Sequence, residues 1–120
     1  MGKLKTVCVV SDLHCGSRWG LRANPKIGDM YTTAANVWLW EVFTHFVKSI
    51  PPIDLLILNG DMIDGSQRRS EGTSLITTCL DEQTEIAIEC LTPLVAKAKK
   101  TIRIVGTAYH ESFHGPLASL

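Results

Sequence analysis

Three short apolar runs in this chain each end abruptly in residues that carry carboxylate or imidazole groups. The runs are residues 7–10, 55–58 and 102–105. Short, nearly continuous runs of Val, Leu and Ile are typical of strands buried on both faces of a parallel sheet. Because parallel strands bring their carboxyl ends to one edge of the sheet, the polar groups that follow are predicted to gather there.

The two segments between these runs carry the periodicity of helices. In residues 33–50 apolar side chains recur at intervals of three and four, and Pro51-Pro52 ends the pattern. A longer helix is predicted for residues 74–100, with Pro93 kinking or dividing it near Cys90. The order is β-α-β-α-β, and right-handed crossovers make this a parallel sheet with helices packed on it. The predicted fold class is therefore α/β.

Length and charge narrow the functional classes. The 120 residues are enough for one domain, and the formal net charge at pH 7 is zero. A neutral chain has no general attraction to nucleic acid or to anionic membranes, so any affinity for phosphate must come from a local site. Nucleic acid and nucleotides stay open as substrates. No stretch predicts a membrane span, and four cysteines without a CxxC pair favour reduced thiols in the cytoplasm.

The first two runs are followed by candidate metal ligands. Asp12 and His14 are two residues apart, so on an extended backbone both side chains would point the same way. Gly60 permits an unusual backbone angle or a close approach, and Asp61, which follows it, would lie at the edge of the sheet where the second strand ends. Asp64 is three residues further on and is a candidate to orient a ligand. The alternative for each motif is an ordinary turn that ends a strand.

Candidates for catalysis and substrate binding come from two other segments. His110 follows the third run and would be placed to give a proton to a leaving oxygen. Arg68 and Arg69, in the loop after Asp64, would be able to donate paired hydrogen bonds to a substrate phosphate. The alternative for all three is a solvated loop residue with no function.

These motifs resemble those of the calcineurin-like metallophosphoesterases. The stretch 11–14, Ser-Asp-Leu-His, matches the DxH motif, and the stretch 60–64, Gly-Asp-Met-Ile-Asp, matches the GDxxD motif. Residues 106–111 are similar to the third motif of the family, which is usually Gly-Asn-His followed by an acidic residue. The longer stretches around the first two motifs are similar to phosphoesterases carried by bacteriophages.

The resemblance implies a fold, a reaction and a role for each residue. The sheet would be one half of the α/β/β/α sandwich of the family. The reaction would be hydrolysis of phosphomonoesters or phosphodiesters at a centre of two divalent ions, which can be Mn, Fe, Zn, Ni or Mg. By resemblance, Asp12 and His14 would hold one ion, Asp61 would bridge both, Asp64 would support the site from behind, and His110 would be the acid.

The chain also departs from the family pattern. Tyr109 stands where the family has an Asn before the histidine of the third motif, and residues 1–120 contain no Gly-His-x-His motif to complete the two metal sites. We therefore expect a partial domain whose uncovered sheet face favours self-association. The alternative function is a non-catalytic remnant that binds at most one metal or a partner chain. The expected location is the cytoplasm, of the host cell if a phage encodes the protein.

Overall fold

The alternation of strands and helices expected from the sequence is present in the computed structural model. The structure describes residues 4–26, 28–29, 31–65, 67 and 72–106. The elements are β1 (Val7–Val10), α1 (Ala34–Ser49), β2 (Ile53–Asn59), α2 (Leu80–Ala96) and β3 (Ala98–Ile104). The three strands form one parallel sheet in the order β1-β2-β3. The predicted α/β class is thus confirmed.

The register of the sheet brings the three strand ends to one edge. Leu58 of the central strand lies beside Val10 on one side and beside Arg103 on the other. The three strands therefore end at nearly the same level, at Val10, Asn59 and Ile104. The loops that follow them share this carboxyl edge, where open α/β sheets place their ligands.

Both helices cover the same face of the sheet. Right-handed crossovers between strands in sequential order must place both helices on one side. The core on that side consists mainly of Cys8, Leu56, Leu58, Val47, Leu91 and Leu94, all buried. On the opposite face Val7, Val9 and Ile102 are 54%, 56% and 40% exposed, so the described residues leave that face uncovered. Self-association through it stays a prediction.

Helix α1 begins in a capping arrangement that also anchors the loop after β1. The hydroxyl of Thr33 accepts a hydrogen bond from the backbone N–H of Asn36, whose side chain accepts one from the N–H of Thr33. The fully buried Asn36 then donates from Nδ2 to the carbonyl of Gly20 at 2.7 Å. The cap satisfies helix N–H groups and ties the loop to the helix. Helix α1 matches the prediction for residues 33–50.

Helix α2 begins later than the sequence predicts. The prediction started near Ser74, whereas the helix starts at Leu80. The backbone N–H of Arg18 donates to the carbonyl of Ser74 at 2.9 Å, and the N–H of Ile76 donates to the carbonyl of Gly16. Backbone groups that pair with a distant loop are not available for helical hydrogen bonds. Tertiary pairing therefore overrides the helical periodicity in this segment.

The end of α2 also differs from the prediction. The helix runs through Pro93 to Ala96 without being divided. The third strand then begins at Ala98 rather than at residue 101, because this segment pairs with the start of β2. Lys99, predicted to lie near the end of the helix, lies in β3 with Nζ 3.3 Å from a carboxylate oxygen of Asp54. Lys99 and Lys100 therefore belong to β3, because this segment pairs with β2 and does not continue the helix.

One fully buried polar side chain on α2 holds the loop that follows β2. The side-chain oxygen of Gln83 accepts a hydrogen bond from the N–H of Gly65 at 2.9 Å. Its Nε2 donates to the carbonyls of Gly65 and Thr77, both at 2.9 Å. Gln83 lies within the stretch 74–100 that the sequence predicts as a helix, where a buried side chain is expected to be apolar. The structure shows instead that it satisfies backbone groups of two loops, one of which carries Asp64.

We expect Gln83→Leu to destabilise the chain by about 2–4 kcal/mol, because it leaves buried backbone groups without partners. Urea denaturation followed by circular dichroism measures the free energy of unfolding. The matched control is Glu85→Ala, an exposed position on the same helix, which should change that free energy by no more than about 0.5 kcal/mol. Equal effects of the two substitutions would contradict the role assigned to Gln83.

Candidate metal centre

Three of the predicted ligands converge at the carboxyl edge of the sheet. Asp12, His14 and Asp61 each offer one ligand atom, and these atoms all lie within 4.8 Å of one another. Nε2 of His14 is 3.4 Å from Oδ1 of Asp12. Two carboxylates and one imidazole form a set of ligands that suits a hard or borderline divalent cation. The structure thus brings together the residues that the sequence proposed for the first metal.

The backbone at these ligands is not extended, contrary to the basis of the sequence prediction. Asp12, His14 and Asp61 have φ angles of 58°, 47° and 54°, in the left-handed region. The N–H of Asp12 donates to the carbonyl of Gly60 and the N–H of His14 to the carbonyl of Asp61, both at 3.1 Å. Pairing between two loops therefore makes the side chains converge. Left-handed non-glycine residues are uncommon and cluster at functional sites.

Gly60 occupies a position that no side chain can share. Its φ is +87°, and a Cβ atom built on it would lie 2.9 Å from the Cα of Gly106. Gly106 follows β3, so the loops after the second and third strands meet here backbone to backbone. The close approach and unusual angle expected of Gly60 from the sequence are both present.

Asp64 lies behind His14, where the sequence proposed a supporting residue. Its Oδ1 is 3.0 Å from Nδ1 of His14, and the residue is buried. A carboxylate can only accept, so Nδ1 carries the proton and Nε2 is left to face the other ligands. The hydrogen bond to Asp64 raises the pKa of His14, outweighing the opposite effect of burial. A proton therefore competes with a metal for Nε2 increasingly as the pH falls.

Cys15 belongs to the core rather than to the ligand set. It follows His14 directly but has no exposed surface. A hydrogen bond with the Cys90 thiol, together with burial, raises the pKa of the Cys15 thiol well above its ordinary value. The ligand atoms that converge come from Asp12, His14 and Asp61 and do not include the Cys15 thiol, which packs in the core.

The remaining predicted site residues, His110, Arg68 and Arg69, lie outside the described residues. Their roles as acid and as phosphate ligands stay predictions. Comparison with known proteins finds no family model, no curated protein and no solved structure that matches this chain. In the part of the chain that the structure describes, neither helix has the length and apolar composition needed to cross a membrane.

A groove beside the triad was not foreseen from the sequence. It has a volume of about 670 Å³ and is lined by Asp12 and His14 and by apolar side chains of α1 and of the loop after β1. From the sequence, the apolar side chains that recur along residues 33–50 indicate a helix that packs on the sheet, and all of them would be expected in the core. However, Val42 and Phe46 are 47% and 37% exposed, whereas Val47 is buried. The feature of the sequence that could have indicated the groove is the apolar stripe of α1, which is wider than contact with the core requires.

Proposed function

We propose that this chain is a metal-dependent phosphoesterase, or the part of one that carries the first metal ligands. The observation that supports this most directly is the convergence of Asp12, His14 and Asp61 within 4.8 Å at the carboxyl edge of a parallel sheet. The resemblance of the DxH and GDxxD motifs to calcineurin-like metallophosphoesterases adds the reaction type. The four cysteines are free thiols, which fits the proposed location in the cytoplasm.

In this proposal each residue of the candidate site has a separate role in phosphoester hydrolysis. Asp12, His14 and Asp61 hold a divalent ion, and Asp61 is the residue proposed to reach a second one. Bound divalent ions supply activation of water and neutralisation of charge on the phosphoryl oxygens. Asp64 keeps the imidazole of His14 oriented with Nε2 toward the ion. His110 is proposed to protonate the leaving oxygen.

The alternative is a non-catalytic chain that binds one metal ion or a partner. It is favoured by the number of ligands, because the described residues bring together a single group of three. It is also favoured by the uncovered face of the sheet, where Val7 and Val9 are more than half exposed. Hydrolysis of an activated phosphodiester that starts on addition of Mn²⁺ and stops with a chelator separates the enzyme from this alternative.

Metal binding itself is tested by calorimetric titration with Mn²⁺. Loss of a residue that merely supports a ligand costs about 10–100-fold in metal affinity, so loss of a ligand should cost at least as much. We expect Asp61→Ala to weaken Mn²⁺ binding by about a hundredfold or more. The control, Asp29→Ala, removes an exposed aspartate outside the triad and should bind as the parent does. If Asp61→Ala also binds as the parent does, the triad is not the metal site.

A further inference from the structure

We propose that the apolar groove beside the triad holds an aromatic ring carried by the substrate, so that the preferred phosphoesters have an aryl or nucleobase group. This inference rests on the proposed function, because it takes the phosphate to be held at the triad. It goes beyond that function by naming the chemical class of the group attached to the phosphate.

The groove lies directly beside the proposed phosphate site. Asp12 and His14 line it together with Leu39, Val42 and Phe43 of α1. A phosphate held at the triad therefore has this groove as an immediate neighbour. With a volume of about 670 Å³, the groove falls within the range of about 300–1,000 Å³ that is usual for small-molecule sites. It is large enough for a ring system.

The walls of the groove include three aromatic rings, which favour an aromatic group as the ligand. Trp19, Phe43 and Phe46 line the groove, and the described lining includes no Lys or Arg. A second phosphate group would meet apolar walls and the carboxylates of Asp12 and Asp64, which also line it. A sugar would lose hydrogen bonds to water that the apolar part of these walls does not replace; the polar side chains that line the groove are Ser11, Ser17, Asp12, His14 and Asp64. An aromatic ring loses little on leaving water and gains offset-stacked or edge-to-face contacts with the three rings.

Large apolar side chains in the walls of the groove are exposed to solvent. Trp19 is 66% exposed and Phe46 is 37% exposed, although both are large apolar residues. Exposed apolar side chains that are grouped at a concave site indicate a binding surface. The walls are also held in place, because Asn36 donates to the carbonyl of Gly20 at 2.7 Å and the N–H of Leu21 donates to the carbonyl of Leu13 at 3.0 Å. The groove is thus formed before a ligand arrives.

The test measures the binding of non-hydrolysable phosphonates to the full chain loaded with Mn²⁺. One pair is phenylphosphonate and methylphosphonate. The other pair is the methylenephosphonate analogue of adenosine monophosphate and that of ribose 5-phosphate. We expect the aromatic member of at least one pair to bind about tenfold more tightly than its partner, because only the ring buries apolar surface. A preference in the first pair indicates an aryl ester, and a preference in the second indicates a nucleotide.

Two variants assign the preference to the groove. Phe46→Ser should bring the affinity ratio toward one, while Mn²⁺ binding measured alone stays as in the parent. Ile88→Ser, at a comparably exposed position on the other helix (42% exposed), should leave the ratio unchanged. Ratios near one in both pairs would overturn this inference alone. A failure of every phosphonate to bind the Mn²⁺-loaded chain would overturn this inference and would also count against a phosphate site at the triad. A chain that binds no Mn²⁺ would overturn the proposed function and this inference with it.

Discussion

Gly60→Ala is expected to destabilise the chain by about 3 kcal/mol or more and to weaken Mn²⁺ binding. The backbone of Gly60 has a φ of +87°, and a Cβ atom there would lie 2.9 Å from the Cα of Gly106. An unfavourable backbone conformation costs about 1–3 kcal/mol, and the contact with backbone adds to it because neither loop can move alone. The carbonyl of Gly60 accepts a hydrogen bond from the N–H of Asp12. Displacement of this loop should therefore also move Asp12, one of the proposed metal ligands, out of place.

The matched control is Gly28→Ala. Gly28 also has a positive φ, +103°, but a Cβ atom there would meet nothing within 4 Å. The control therefore carries the conformational cost without the steric contact. Urea denaturation gives the free energy of unfolding for both variants, and titration calorimetry gives their Mn²⁺ affinity. If Gly28→Ala loses as much stability as Gly60→Ala, the close approach of the two loops does not matter energetically.

His110→Ala is expected to slow hydrolysis of an alkyl phosphoester by about a hundred- to ten-thousand-fold, the usual contribution of a positioned acid. An alkoxide leaves poorly without a proton, whereas p-nitrophenolate is stable without one. The same variant should therefore lose much less activity toward a p-nitrophenyl ester. Steady-state turnover of the two esters with saturating Mn²⁺ measures the difference.

The control for this prediction is His45→Ala, which removes an exposed histidine on α1 and should leave both rates unchanged. An equal loss on the two esters in His110→Ala would argue for a structural or ligand role instead of proton donation. No loss on either ester would remove His110 from the mechanism.

The order of the elements was predictable because each signal for it is local. Apolar runs of strand length, a helical stripe over residues 33–50 and breakers such as Pro51-Pro52 are all readable within a few residues. The structure confirms this order and the parallel sheet. The boundaries of α2 and β3 were predicted wrongly, because pairing with the loop at Gly16 and with β2 decided them. Such pairing links residues far apart in sequence.

The sequence by itself determined which chemical groups stand at the carboxyl edge: Asp12, His14 and Asp61 follow strands that a parallel sheet must align. Only the tertiary structure decided how they meet. The ligands converge through left-handed backbone held by hydrogen bonds between two loops, and Asp64 reaches His14 across 50 residues of sequence. The groove beside the triad exists because only part of the apolar stripe of α1 packs into the core, and the rest lines the groove. The packing of elements against one another sets these distances, and no local pattern of residues encodes them.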